Sequence, residues 1–225
     1  MERSNIQNKT VYITKSIEFS AAHYYYIDAW SKETNEKIFG RCSNRFSHGH
    51  NYKLDVTIKG DPDPKTGMII NLIELKDILN LYILSDFDHK NLNLDNIHFK
   101  MKVPTTENIC KTIWAILQEQ LGYQLAKIKL YEEENLYSSY KGEESMIYLT
   151  RIYNFSAAHR LNNPALSEEE NTKIFGKCNN FHCHGHNFKL EVSVKGKIDP
   201  VTGMIIDLCE FDAQVQTEIL NLLDY

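Results

Sequence analysis

The 225-residue sequence has no apolar run near the roughly 20 residues that span a bilayer. Its opening, MERSNIQNKTVYITKS, has no apolar stretch of the kind a secretory leader carries. Neither a membrane role nor secretion is therefore expected. Basic charge is scarce as well: 25 Lys and Arg against 30 Asp and Glu leave a net charge of −5. That excludes a general field for nucleic acid. Cysteine is sparse and odd in number, five in all, too few for a dense disulfide framework and suited to reduced thiols in a cytoplasmic protein. At 42% hydrophobic and 24% charged residues, what remains is ordinary soluble globular composition.

What is present is a repeat. FSAAH, IFGRC and HGHNYKL occupy residues 19–54, and FSAAH, IFGKC and HGHNFKL return at 155–190. The offset is constant: 159 − 23, 178 − 42, 184 − 48 and 186 − 50 all equal 136. The repeated residues include three histidines and a cysteine, side chains that bind zinc and carry protons. A duplicated core would repeat a hydrophobic pattern; repeated imidazoles and a thiol point to duplicated chemistry. Two domains are expected, a complete one at 9–142 and a second copy at 145–225.

Within the first copy, Val11, Ile13, Ile17, Phe19, Ala21 and His23 share parity, as one face of a strand does. Residues 24–47 read as a polar and aromatic loop carrying Cys42. Tyr52, Leu54, Val56 and Ile58 alternate with polar residues, a half-buried strand. DPDPKTGM, 61–68, is a Pro/Gly turn. Spacing predicts a helix over 73–84, and a second capped by Thr105 or Thr106 with Ile109, Ile113, Ile116, Leu117 and Leu121 inward. Residues 127–132 and 136–141 close as strands. The order predicts an α+β fold: an antiparallel four-stranded sheet with two helices on one face, in tandem. In the second copy Tyr225 aligns with His89, so counterparts of the second helix and last two strands are lacking. Half a sheet leaves an unpaired edge, and a fragment, or a partner that supplies the missing half, is expected.

His48 and His50 stand two apart, so on a strand both point to the face carrying Leu54, Val56 and Ile58. His23 has the matching parity on the preceding strand. If the two strands pair antiparallel, three imidazoles converge, enough to hold zinc with a fourth position open; His159, His184 and His186 repeat the set. Gly49 between the two would allow close backbone approach. Ordinary hydrogen-bonded histidines fit a lone residue better than this repeated set. Cys42, six residues before His48, suits either a base with a lowered thiol pKa beside the metal or a fourth, structural ligand. Asp88 and His89 can form a carboxylate–imidazole relay. Cys178 and Asp224 hold the corresponding places in the second copy.

Taken together, Cys-x5-His-Gly-His-Asn-Tyr, FSAAH, DPxTGM, LSDFDHKNLN, PTTEN and KLYEEEN resemble the 6-pyruvoyltetrahydropterin synthases. The resemblance covers nearly all of the first copy and all that is present of the second. It implies the tunnelling fold, assembled as trimers stacked into hexamers. It also implies a lyase converting 7,8-dihydroneopterin triphosphate to 6-pyruvoyltetrahydropterin with loss of triphosphate and no redox cofactor. By motif, His23, His48 and His50 would bind Zn2+, and Cys42 would be the base, with Asp88 and His89 as partners. Thr105, Thr106 and Glu107 would line the pterin pocket, and Glu132 would accept from the amino-pyrimidine edge.

There are departures. Glu133 follows Glu132 where the family has threonine, and Tyr24-Tyr25-Tyr26 follows His23 where the family shows Arg-Leu. The second copy keeps His159-Arg160-Leu161 but has Tyr225 in place of the relay histidine. His182 and Cys183 are extra potential ligands there, His182 standing where the first copy has Phe46. Two other readings stay open. One is the related 6-carboxytetrahydropterin synthase of queuosine synthesis, whose members commonly place three residues, not five, between the cysteine and HGH. The other is a non-catalytic pterin- or zinc-binding protein.

Overall fold

The computed structural model describes residues 10–143 and 145–224. Alternating side chains set its two longest early strands. β1 (Val11–His23) and β2 (His48–Gly60) pair antiparallel, with Phe19 opposite Tyr52, Ala21 opposite His50 and His23 opposite His48. Their apolar face is buried: Phe19, Ala21, Tyr52, Leu54, Val56 and Ile58 all belong to the main core.

Between these strands the expected loop contains a helix. α1 (Lys32–Phe39) is capped by Ser31, whose side chain accepts from the Thr34 amide, and runs into a 3₁₀ turn, Gly40–Ser43. Only Asn35 and Phe39 of α1 are buried, too little to print a helical period on eight residues. Asn35 holds the segment by hydrogen bonds instead. Its Oδ1 accepts from the Ile27 amide at 2.7 Å and its Nδ2 donates to the Ile27 carbonyl at 3.0 Å.

α2 (Leu72–Leu79) continues through a π-helical turn, Asn80–Leu84, into α3 (Ser85–Phe87). Leu75, Leu79, Ile83 and Phe87, spaced by fours, are all fully buried. Three such steps would drift about 120° around an ideal helix; the wider π turn takes up most of that drift and keeps all four on the core side. A two-residue strand, β3 (Lys90–Asn91), pairs parallel with β1 at Ala21–Ala22. α4 (Thr106–Leu121) is capped by Thr105, which accepts from the Asn108 amide. Ile109, Ile113, Leu117 and Leu121 face the core, while Ile116 is only partly buried.

β4 (Leu125–Glu133) and β5 (Leu136–Tyr140) follow, and β5 pairs with β6 (Met146–His159) from Leu136 opposite Arg151 to Ser139 opposite Tyr148. The sheet is therefore wider than four strands, running β3-β1-β2-β4-β5-β6. β3 adds one edge, and the start of the second repeat satisfies the backbone groups that β5 would otherwise leave open at the other.

The chain divides into two compact units, and the division does not follow the repeat. The first comprises residues 1–151 and 193–205, the second 152–192 and 206–225. In the second unit, β6 runs on to His159 and β7 (His184–Lys197) is its neighbour. Here Phe155 stacks on Phe188 at 5.2 Å, as Phe19 does on Tyr52 at 5.1 Å in the first. α5 (Glu168–Phe175) begins with a capping box of Ser167 and Glu170. α6 (Leu208–Val215), a π turn at Gln216–Leu220 and α7 (Asn221–Leu223) complete it. Tyr225 lies outside the described residues.

Candidate metal centre and its surroundings

β1 delivers His23, and β2 delivers His48 and His50, to the same end of one sheet face. One ligand nitrogen from each lies within 4.8 Å of the others. His23 is fully buried, and its Nδ1 is 3.0 Å from the Pro104 carbonyl oxygen. A carbonyl only accepts, so Nδ1 carries the proton and Nε2 presents its lone pair, 3.1 Å from His48 Nε2. His50 Nε2 is buried without a hydrogen-bond partner; Glu132 Oε1 is 3.6 Å away, beyond bonding range.

Burial, then the neighbouring His50, pushes the His23 pKa down to about 3. Burial and His23 push His48 down to about 4. Neutral imidazoles with lone pairs aimed together, one fixed from behind by a carbonyl, are what a borderline-soft dication binds. The residues fit a metal of the zinc type.

Two buried carboxylates adjoin the triad. Glu132, on β4, accepts at Oε2 from the Thr106 hydroxyl and from the Tyr25 hydroxyl, the latter at 3.3 Å. Glu107, in the first turn of α4, accepts at Oε1 from the Ile205 amide at 3.1 Å, and burial pushes its pKa up to about 7. The structure thus gathers His23, His48, His50, Thr105, Thr106, Glu107 and Glu132 at one end of the first unit.

Cys42 sits in the 3₁₀ turn after α1, its carbonyl accepting from the Tyr25 amide at 2.7 Å and its side chain against the Tyr25–Phe39–Val103 cluster. Among the described residues, the close group of ligand atoms contains the three imidazoles and not this sulfur. Asp88 and His89 are placed differently. Asp88 Oδ1 accepts from the Ser20 amide at 2.9 Å and Oδ2 bonds His89 Nδ1 at 2.9 Å. The Ser20 amide holds the Asp88 carboxyl below its usual range. His89 borders a cavity of about 450 Å³ along Ser20, Ala22, Gly49 and Asn51, the β1–β2 face opposite Phe19 and His23. Of the triad, His50 alone also borders it. The relay and the triad are not assembled on one face of this chain.

Gly49 does not need to be glycine for room. A Cβ there would stand 3.5 Å from the Ala21 oxygen, ordinary contact, because side chains at this position point off the open face.

In the second unit, His159, His184 and His186 form the corresponding group within 4.8 Å, without His182 or Cys183. Cys178 lies in the turn Gly176–Asn179, its carbonyl accepting from Leu161 at 2.8 Å. Asp224 Oδ1 accepts from Ser156 at 2.9 Å, as Asp88 does from Ser20.

Two buried residues of the first unit escaped the sequence reading. Asn35 had a signal, since Asn171 stands 136 residues on and makes the same bond, accepting from the Asn163 amide at 2.7 Å. Tyr25 had none, because its counterpart is Leu161. Its hydroxyl reaches Glu132 only through the fold.

Comparison with known proteins decides the family. The profile described as 6-pyruvoyl tetrahydropterin synthase matches residues 12–143 and again 148–225. The chain belongs to the 6-pyruvoyl tetrahydropterin synthase family. Among relatives in this family, proteins named 6-pyruvoyl tetrahydrobiopterin synthase from Pongo abelii and Homo sapiens are 47% and 46% identical over 132 residues, 58% of this chain and 91% of each relative. The solved Caenorhabditis elegans 6-pyruvoyl tetrahydropterin synthase is 34% identical and superposes with a TM-score of 0.57 over 60% of this chain and 97% of that one.

Proposed function

We propose that the first repeat is a zinc-dependent carbon–oxygen lyase that converts 7,8-dihydroneopterin triphosphate to 6-pyruvoyltetrahydropterin with release of triphosphate. The observation that carries this reading is the unpartnered, buried His50 Nε2, in a triad of imidazoles and 3.6 Å from a buried carboxylate. A site for a cation and a site for a hydrogen-bond-donating ring adjoin.

His23, His48 and His50 would hold the zinc, which when bound supplies Lewis-acid polarisation of the substrate's side-chain oxygens. Glu132 is an acceptor-only group facing outward from Thr106 and Tyr25, suited to the adjacent N–H donors of an amino-pyrimidine edge. Glu107 stands beside it on α4 with Thr105 at the cap. Cys42, off the ligand group, keeps its sulfur for moving the side chain's carbon-bound protons.

Asp88 and His89 face away from this site, so they can serve a cysteine only across a contact between copies. That favours a homo-oligomer of the trimer or stacked-trimer kind. The second repeat would hold zinc through His159, His184 and His186, with Cys178 in the turn that precedes β7 and Asp224, held at Ser156 as Asp88 is at Ser20, turned away from it. Its described residues include no buried carboxylate like Glu107 or Glu132, so it would bind metal and turn over little. Among the described residues no helix is long and apolar enough to cross a membrane, and the reading is of a cytoplasmic enzyme acting on a small pterin.

The test is incubation of the zinc-loaded protein with 7,8-dihydroneopterin triphosphate and identification of products by mass. Triphosphate with a pyruvoyl pterin is expected. A carboxy product would transfer the assignment to the 6-carboxytetrahydropterin reaction, and pterin bound unchanged would defeat the lyase reading.

A further inference from the structure

The same turn occurs twice, and only one copy touches a site. In the first repeat, Asp63 closes a turn through Asp63 N to Met68 O at 2.9 Å and Gly67 N to Asp63 O at 2.7 Å. In the second, Asp199 N to Met204 O and Gly203 N to Asp199 O, both 2.9 Å, build the same turn 136 residues on. Both glycines have positive φ, +71° and +79°.

Their surroundings differ. Around Gly67 an added Cβ would meet nothing within 4 Å, and Met68 is exposed. Residues 193–205, by contrast, belong to the first compact unit. The Thr105 hydroxyl donates to the Gly203 carbonyl at 2.6 Å, and the Ile205 amide donates to Glu107 Oε1 at 3.1 Å. Met204 packs on the Tyr25–Phe39–Val103 cluster, whose Tyr25 holds Glu132. A Cβ at Gly203 would fall 2.6 Å from Asn108 Nδ2 and 3.1 Å from Thr105 Cγ2. Both hydrogen bonds, to Thr105 and to Glu107, thus reach the N-terminal end of α4, where the pterin pocket is placed.

We propose that the second repeat's turn, Asp199–Ile205, is a positioning element of the first repeat's pterin site, with the Ile205 amide orienting Glu107 and Met204 walling the pocket over Tyr25. The inference rests on the functional reading above. It gives the second repeat a use that does not depend on its own turnover: it completes its neighbour's site within one chain. The first repeat's identical turn, lacking these contacts, is a built-in control.

The experiment pairs substitutions at equivalent places in the full, zinc-loaded chain: Gly203→Ala with Gly67→Ala, and Met204→Ala with Met68→Ala. Each pair shares its backbone demand, so a general folding cost appears in both members. The probe is neopterin, followed by its fluorescence, alongside zinc content. Loss of a hydrogen bond to a carboxylate predicts that Gly203→Ala weakens neopterin binding by about tenfold or more. Met204→Ala weakens it by a smaller factor, and both Gly67→Ala and Met68→Ala stay near wild type. Zinc content is expected unchanged throughout. If Gly203→Ala fails to fold, the methionine pair decides. Equal affinity within both pairs, with wild type binding neopterin, overturns the positioning role and leaves the lyase reading intact. A wild-type protein that binds zinc but no neopterin overturns the functional reading and this inference with it.

Discussion

The two repeats carry the same triad on the same strand frame, yet only the first is enclosed. Phe19 on Tyr52 and Phe155 on Phe188 are the same stacked pair, but Tyr52 is 0% exposed and Phe188 38%. The first pair lies under a core that includes residues of α2 and α4; the second unit has no described counterpart of α4. What differs is therefore enclosure, not ligands. Burial lowers the pKa of His23 to about 3 and of His48 to about 4, and it lowers His184 in the second triad as well; the raised pKa of the buried Glu107 belongs to the first repeat. Bringing three imidazoles together needs two strands; placing the buried Glu107 and Glu132 near them needs α4 and β4 as well.

The comparison is broken most sharply at the thiols. Cys42→Ala is expected to lower turnover by roughly two to four orders of magnitude, as loss of an acid–base group does, with zinc retained. Cys178→Ala is expected to leave turnover near wild type. Steady-state rates with metal analysis on both variants check this. Zinc loss in Cys42→Ala would make the sulfur a ligand, and equal rate losses would make both repeats active.

Next in size is the stacked pair. Tyr52→Ala removes a fully buried ring and should cost about 3–5 kcal/mol of unfolding free energy. Phe188→Ala should cost about 1 kcal/mol, because much of that ring already meets water. Urea unfolding of both variants measures the difference. Costs of equal size would show that the second pair is covered as fully as the first.

These contrasts also explain what could be read from the sequence. β2 was legible because Tyr52, Leu54, Val56 and Ile58 face a core while their neighbours do not, and the cap at Thr105 because its chemistry is local. The convergence of His23, His48 and His50 followed from parity and one pairing. α1 was not legible, since Asn35 rather than an apolar stripe holds it. The width of the sheet was hidden because β5 is completed by Arg151 and its neighbours, beyond the first repeat's end. The face on which Asp88 and His89 lie depends on β3 joining β1 by only two residues. The bond from Ile205 to Glu107 spans 98 positions, and no local pattern announces it.

The smallest expected effect concerns Glu107, which with Glu132 makes up the buried carboxylates among the described residues, both in the first repeat. Its folded pKa of about 7 lies above its ordinary 4.5. Between those values the folded chain keeps a proton that the unfolded chain has released, so the folded state binds more protons and stability falls as pH rises through this window. Below about 4.5 both states are protonated and the penalty is absent; above about 7 it is fully present and constant. Glu107→Gln removes the titration. Relative to wild type, the variant should gain stability steadily from pH 4.5 to 7, by at most a few kcal/mol, and then hold that gain. Urea unfolding of both proteins across pH 4–8 measures it. A difference that does not change with pH would mean that Glu107 titrates in the folded protein at its ordinary value, with the Ile205 amide offsetting its burial. The enclosure that separates the two repeats would then have no electrostatic consequence at this residue.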